Sequence, residues 1–237
     1  GAQEAPLPRI EPGAHYMLLR GLESLRSFTA RGNAEARKFF VRALELDPEY
    51  ARAHAHIAVT YGRENIHRYS NDSSRFSVEA GLKAAVTAIQ LDAEIPHAYY
   101  ALGVLNLALG EHSTAISAAR HAVRLDPNYS DGYALLGEAG VFGSDLDEAL
   151  AAIRRAQLLH PHHPPTYLWI EGHILFQMER HDEAQPLLEA AVESHPEFLQ
   201  GLIVLAANYG SQGKKSSGTG ALEVARSIHP DFDMDVA

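Results

Sequence analysis

The chain has 237 residues, of which 46% are hydrophobic and none is cysteine, so it can bury a core but has no disulfide framework or thiolate metal site. No run approaches the ~20 consecutive apolar residues that a membrane-spanning helix needs. The net charge of −10 comes from residues 96–237, which hold eight basic and 18 acidic residues, while residues 1–95 hold 12 of each. The acidic half argues against nucleic-acid binding there and fits binding of a basic peptide or plain solubility.

The first predicted segment is a short extension, residues 1–13. Its small, polar and proline-containing sequence AQEAPLP favours the start of a mature exported protein, and an arbitrary domain cut is the alternative. The absence of cysteine is compatible with an oxidising or a reducing compartment. We therefore lean towards an exported or periplasmic location, with the cytoplasm as the alternative.

From residue 14 onward the chain repeats itself. Six segments end in nearly the same way: ALELDPEY (43–50), AIQLDAEI (88–95), AVRLDPNY (122–129), AQLLHPHH (156–163), AVESHPEF (191–198) and ARSIHPDF (225–232). From Ala93 onward the steps between equivalent positions are 34, 34, 35 and 34 residues. This period predicts helix–turn–helix units that bury their apolar faces only by stacking. The predicted units are 14–50, 51–95, 96–129, 130–163, 165–198 and 199–232, followed by a tail, 233–237.

Residues at fixed places within these units carry a family resemblance. In unit 96–129, Tyr99, Leu102 and Gly103 open the first helix, Ala115 and Ala119 lie on the second, and a proline closes it. The later units repeat the pattern with Tyr133, Leu136, Gly137, Ala149, Leu168, Gly172, Ala184, Leu188, Leu202, Ala206 and Ala225. The chain thus resembles the tetratricopeptide repeat family, which implies an all-α, right-handed α-solenoid of about six helix pairs. Its layout also resembles repeat regions associated with bacterial class III nucleotidyl cyclases and some membrane-bound transcription regulators.

Two segments depart from the regular pattern. The second unit has about 11 extra residues, and we expect them in RENIHRYSNDSSRF (63–76), as a surface loop. The segment GSQGKKSSGTG (210–220) lacks the order of a phosphate-binding loop. We interpret it as the turn between the last two helices, with a final helix that starts late or frays.

The sequence offers no recognisable catalytic arrangement. It contains no G-x-S-x-G, H-E-x-x-H or P-loop pattern, so we predict no enzyme and no cofactor. A cluster of histidines could suggest zinc: His160, His162, His163, His173, His181 and His195. However, His195 and His229 occupy the place held by aspartate in other units, which favours helix-end residues that complement the helix dipole when protonated, and no metal site.

The family resemblance implies that the first helix of each unit lines a concave groove. The groove positions carried over to this chain are Arg52, Arg63, His97, Tyr100, Val104, Glu138, Phe142, Trp169, His173, Phe176 and Gln177. Exposed aromatics and arginines are typical of binding hot spots. Trp169 and Phe176 alternatively pack between helices. The carboxylate clamp of co-chaperone repeats is not carried over, because Leu18 and Leu22 stand where its first polar residue should be.

These observations predict a non-catalytic scaffold that binds a protein or peptide through one continuous concave strip. The partner segment should be apolar in its middle and acidic at the end that faces Arg52 and Arg63. The alternative is a sensory or regulatory ligand-binding domain of a larger signalling protein, such as a cyclase or transcription regulator; an unrecognised enzyme is a third option. An exposed end of the array leaves a homo-oligomer open.

Overall fold

The computed structural model describes residues 11–27, 29–66, 75–143 and 145–228, and the chain divides into two compact units, residues 1–110 and 111–237. Among the described residues there are twelve α-helices and no strand, so the prediction of an all-α fold is confirmed. The first unit contains α1 (Pro12–Leu25), α2 (Ala30–Leu46), α3 (Ala51–Ile66), α4 (Arg75–Leu91) and α5 (Pro96–Ala108). The second contains α6 (His112–Leu125), α7 (Ser130–Gly140), α8 (Leu146–Leu159), α9 (Thr166–Gln177), α10 (His181–Ser194), α11 (Leu199–Ser211) and α12 (Lys215–Ile228).

The repeated Leu-Asp-Pro signal, with alanine in place of proline after Asp92, ends three helices in the same way. At Asp47, Asp92 and Asp126 the backbone N–H makes the last helical hydrogen bond. Each side-chain Oδ1 then accepts the N–H two residues further on, at 3.2, 3.0 and 2.9 Å respectively. Aspartate favours such local bonds over continued helix. The aspartate therefore closes the turn that starts the next helix pair.

Histidine takes the same helix-end place in two later repeats. His160 and His195 are the C-cap residues of α8 and α10, which confirms the helix-end prediction for both. Burial lowers the pKa of the His195 imidazole, which disfavours the protonated form that would complement the helix dipole. His229 lies outside the described residues.

In the first unit, helix pairs pack through small residues. α1 packs on α2, α3 packs on α4, and α3 also contacts α2 and α5. Phe40 is fully buried, and a Cβ on Gly21 would lie 2.2 Å from its Cε1 atom. Gly21 therefore takes the small-residue place predicted from the sequence, because any side chain there would collide with the Phe40 ring.

The second unit repeats this packing in three pairs: α7 with α8, α9 with α10, and α11 with α12. A Cβ on Gly137 would lie 3.1 Å from Ile153 Cβ, and one on Gly172 would lie 2.8 Å from Leu188 Cγ. Ile153 and Leu188 are fully buried. Both glycines thus lie where the two helices of a pair cross, as predicted.

The two departures from the pattern differ partly from expectation. Arg63–Ile66 continue α3 and residues 75 and 76 begin α4, so these parts of the expected loop are helical; residues 67–74 lie outside the described residues. The Glu64 carboxylate accepts a 2.5 Å hydrogen bond from the Arg37 guanidinium, which ties this helical extension to α2. In the last pair, α12 begins at Lys215, so only residues 212–214 form the turn and the final helix starts earlier than we predicted.

None of the described helices has the length and apolar character required to cross a membrane.

Candidate binding surface

Aromatic and imidazole rings form a row in the second unit, and we call His112, Phe142, His173, Trp169 and Phe198 the aromatic row. The Phe142 ring stacks on His112, with ring centroids 4.3 Å apart, and approaches His173 edge-on at 6.1 Å. Trp169 lies one helical turn before His173 on α9, and their ring centroids are 5.5 Å apart. The row exists because α7 and α9 are neighbours, which brings residues of consecutive repeats side by side.

The members of the row differ in accessibility. Phe142 is 54% exposed, whereas Trp169 is only 8% exposed and packs edge-on against Phe198 at 5.1 Å between ring centroids. The expected exposure of Trp169 is therefore not what the structure shows, and the alternative, packing between helices, describes this residue. The Trp169 ring lies in the same hydrophobic core as Ile170 and Ile174, which are buried residues of the same helix. Phe142 is left as the accessible aromatic residue of the row.

Three further predicted groove residues lie on the same helices. Phe176 is half-buried against the core, with its ring 5.5 Å from that of His181, so the packing alternative applies in part. Gln177 is exposed at the end of α9, and Glu138 is half-buried on α7, one turn before Phe142. Phe142, His173 and Gln177 thus offer an apolar ring, an imidazole and an amide on one part of the unit.

The predicted residues of the first unit surround α3 and α5. Arg52 and Arg63 are half-buried on α3; the Arg52 Nε has no hydrogen-bond acceptor among the described residues, and Arg63 donates to the Leu25 carbonyl at 3.4 Å. His97 and Tyr100 are half-buried on α5, while Val104 is only 5% exposed and belongs to the interior. Two of the predicted cationic residues thus lie on α3, in a unit whose sequence carries no net charge.

Sequence reasoning missed His56, which the structure places at the centre of this group. Its ring stacks on Phe40 at 5.3 Å and approaches His97 at 5.5 Å, and neither ring nitrogen has a hydrogen-bond partner among the described residues. Burial lowers the pKa of His56 well below its usual value. The positive charges of His97, Arg52 and Arg63 lower it further. No signal in the sequence marked this residue, because an imidazole on a helix is compatible with either surface or core.

We expect acidification to destabilise the second unit through His173. Burial lowers the pKa of His173 from 6.5 to about 4. As the pH falls below 6.5, the unfolded chain binds a proton that the folded chain does not, so the stability that is fully present above pH 6.5 is lost progressively down to about pH 4. At pH 5 the loss amounts to about 2 kcal/mol.

Urea unfolding followed by Trp169 fluorescence at pH 7.5 and pH 5 measures this loss. His173→Gln should make the unfolding free energy less sensitive to pH, whereas His162→Gln, which removes an exposed imidazole, should not. An unchanged pH dependence in His173→Gln would contradict the assignment.

The described residues contain no group of three or more His, Cys, Asp or Glu side chains that could hold a metal ion.

The ion pairs of the second unit connect helices to one another or to a neighbouring turn. Arg154 Nε lies 2.8 Å from Oε1 of the buried Glu171, which also accepts a 2.9 Å hydrogen bond from Gln157. These contacts attach α9 to α8, so Glu171 is a structural carboxylate within the stack.

In the described part of each unit the fold is all-α and built from packed helix pairs. The family model described as the tetratricopeptide repeat matches residues 96–129 and 165–198. The chain therefore contains tetratricopeptide repeats, and the resemblance noted in the sequence is confirmed.

Solved structures share this fold at low sequence identity. One is the APC/C hetero-tetramer Cut9–Hcn1, with 17% identity and a TM-score of 0.70 over 93% of this chain and 44% of that one. Another is a thermophilic tetratricopeptide protein of Thermus thermophilus, with 20% identity and a TM-score of 0.62 over 82% of this chain and 98% of that one. Pseudomonas aeruginosa PilF has 15% identity and a TM-score of 0.59 over 93% of each chain. At these identities the likeness concerns the fold alone.

One curated relative matches part of the sequence. A Rhizobium meliloti (strain 1021) protein named "Putative adenylate cyclase 3" is 29% identical over 96 residues, which are 40% of this chain. The match spans 16% of that protein's length. It fits the resemblance to repeat regions associated with cyclases.

Proposed function

We propose that the protein is a non-catalytic scaffold that binds a partner protein or peptide through the first helices of its repeats. Stacked helical repeats in general provide extended surfaces for protein binding. The observation that carries the proposal is Phe142, a large aromatic residue that is 54% exposed while it remains fixed by its stack on His112. An accessible and rigid aromatic ring loses little conformational entropy when it binds, which is why such residues act as anchors.

The partner's chemistry follows from the two units taken one at a time. In the second unit, Phe142, His173, Phe176 and Gln177 favour an apolar segment with some polar groups. In the first unit, Arg52 and Arg63 are cationic residues on α3 and favour a segment with acidic residues, and the Arg52 Nε has no hydrogen-bond acceptor among the described residues. His97, Tyr100 and Glu138 are proposed as neighbouring contacts.

Phe142→Ala should weaken binding of the native partner by about 30-fold or more, since truncating a central aromatic hot spot typically costs at least about 2 kcal/mol. The partner is first captured from native cells with the full chain, identified and purified, and its affinity for each variant is then measured by calorimetry. The helical signal and melting temperature of Phe142→Ala should stay close to those of the parent protein, because the side chain is exposed.

Leu158→Ala is the matched control, since Leu158 is a large apolar residue of the same unit that is 75% exposed on α8. Its affinity should change by less than about two-fold. If Phe142→Ala binds the purified partner as tightly as Leu158→Ala, the proposed surface is not the binding site.

A second candidate is a sensory or regulatory domain of a larger signalling protein. The partial match to the relative named for adenylate cyclase favours it. The test is to examine the native gene product for a contiguous cyclase or DNA-binding segment. Such a segment would support this candidate if its activity or DNA binding changed in the Phe142→Ala variant. A native product without any output segment would exclude it.

A further inference from the structure

A cavity of about 340 Å³ opens between α6, α7 and the start of α8 in the second unit. One wall is the stacked pair of His112 and Phe142, which belongs to the aromatic row. The lining also includes the polar side chains of Asp145, Glu148 and Ser113. The cavity therefore joins an exposed aromatic ring to an acidic rim.

The two carboxylates that line the cavity differ in how many of their oxygens accept hydrogen bonds. Arg120 is the cationic side chain among the described lining residues, and Glu148 holds it with two hydrogen bonds, Nε to Oε1 at 3.1 Å and Nη2 to Oε2 at 2.5 Å. Asp145 uses Oδ1 to cap α8, by accepting a 2.8 Å hydrogen bond from the Glu148 N–H. Its Oδ2 has no hydrogen bond within the described part of the chain, and because Asp145 is exposed this oxygen is open to a donor from solvent or from a ligand.

His112 contributes its ring to the cavity lining and not an accessible hydrogen-bond acceptor. Its Nδ1 atom has no hydrogen-bond partner in the described ranges, but it is buried and out of reach of a ligand. The ring therefore serves to hold Phe142 in place by stacking on it.

We propose that this cavity is a subsite for an arginine side chain of the partner; the inference rests on the proposed binding function. A guanidinium group is planar, stacks on aromatic rings and carries five N–H donors. It can lie against the exposed Phe142 ring while it donates to the exposed Asp145 carboxylate. The compact ammonium of lysine lacks the planar group that serves the carboxylate and the ring at once.

The charge of the unit supports a cationic occupant. Residues 111–237 hold eight basic and 18 acidic residues. Arg120, Arg154 and Arg180 are already paired with Glu148, Glu171 and Glu183. The excess negative charge attracts a basic segment over a distance of about 10 Å at moderate ionic strength.

The test is a fluorescence anisotropy titration of the full chain with a fluorescein-labelled nonapeptide that contains three arginines separated by alanine and leucine. The same peptide with citrulline in place of arginine keeps the side-chain shape and removes the charge. Asp145→Asn is the informative variant, because asparagine is also a good N-cap and α8 should stay intact. Asp145→Asn should weaken arginine-peptide binding about ten-fold, and Phe142→Ala should weaken it to a similar degree.

Asp182→Asn removes the same charge from an exposed position of the same unit, outside the cavity. It should change the affinity less than about two-fold at physiological salt, where distant surface charges are largely screened. Equal losses in Asp145→Asn and Asp182→Asn, or equal binding of the citrulline peptide, would overturn the proposal, since net charge or the peptide backbone would then explain the binding.

The native partner separates this inference from the proposed function. If its binding requires Phe142 but is unaffected by Asp145→Asn, the scaffold function stands and the arginine subsite is wrong. If the arginine peptide requires Asp145 while the native partner binds Phe142→Ala normally, the cavity binds arginine but does not receive the partner, and the subsite and the proposed surface are both wrong.

Discussion

Trp169→Ala is expected to lower the free energy of unfolding by about 3–5 kcal/mol, the largest loss of any single change considered for this protein. The indole is 8% exposed and packs against Phe198 at the core of the second unit, which also contains the buried Ile170. Truncation would leave a cavity that the surrounding helices can close only in part. We therefore expect lower helical content at a given denaturant concentration as well as weaker binding.

Circular dichroism during urea and thermal unfolding measures this loss, because the substitution removes the fluorescent reporter. Trp169→Phe is the matched control: it keeps most of the packing and removes an indole N–H that is buried without an acceptor in the described part of the protein, so its loss should be much smaller. Phe142→Ala, at an exposed ring, should fall within about 0.5 kcal/mol of the parent protein. A Trp169→Ala variant with unchanged stability and lost binding would show that this ring is accessible after all.

Gly137→Leu should have the second largest effect, a loss of about 1–3 kcal/mol. A side chain at this position meets Ile153 Cβ at 3.1 Å and the Ala149 carbonyl oxygen at 3.3 Å. The carbonyl belongs to the backbone of α8 and cannot rotate away, so the helices of the pair must separate. Separation costs contacts along the whole pair, because α7 and α8 bury their apolar faces against each other.

Gly210→Ala provides the comparison in the same unit. A Cβ at Gly210 meets nothing within 4 Å, and the residue lies within α11. Alanine has the higher helix propensity, so this variant should gain about 0.4–1 kcal/mol. Thermal melts of both variants measure the difference. Equal melting temperatures for Gly137→Leu and the parent protein would mean that the repeat register is not the one described here.

Periodicity alone was sufficient to predict the helix pairs. The Leu-Asp-Pro signal at Asp47 and Asp126 marks helix ends through local hydrogen bonds, so it can be interpreted without knowledge of the rest of the fold. The small residues at Gly137 and Gly172 were likewise predictable, because a repeated glycine at a fixed place in each unit indicates a repeated close approach of two helices.

The candidate site was predictable as a set of helix positions but not as a set of exposed side chains. Phe142 and Trp169 occupy predicted groove positions in consecutive repeats, yet one is 54% exposed and the other 8%. The difference arises because Phe142 lies just beyond the end of α7, whereas Trp169 lies within α9, with buried neighbours on both sides. Burial depends on which side chains the adjacent repeat brings into contact, and one repeat's own sequence does not contain that information.

The sequence by itself therefore determined the fold class, the succession of helix pairs and the distribution of charge, since each of these is local or additive along the chain. Only the tertiary structure decided that His56 is buried without a hydrogen-bond partner among the described residues, and that His112 and Phe142 stack beside the carboxylate of Asp145. Those arrangements join residues that are distant in the sequence or that face a neighbouring helix. Their distances are set by how the helices pack, through contacts between side chains whose pairing no periodic pattern specifies.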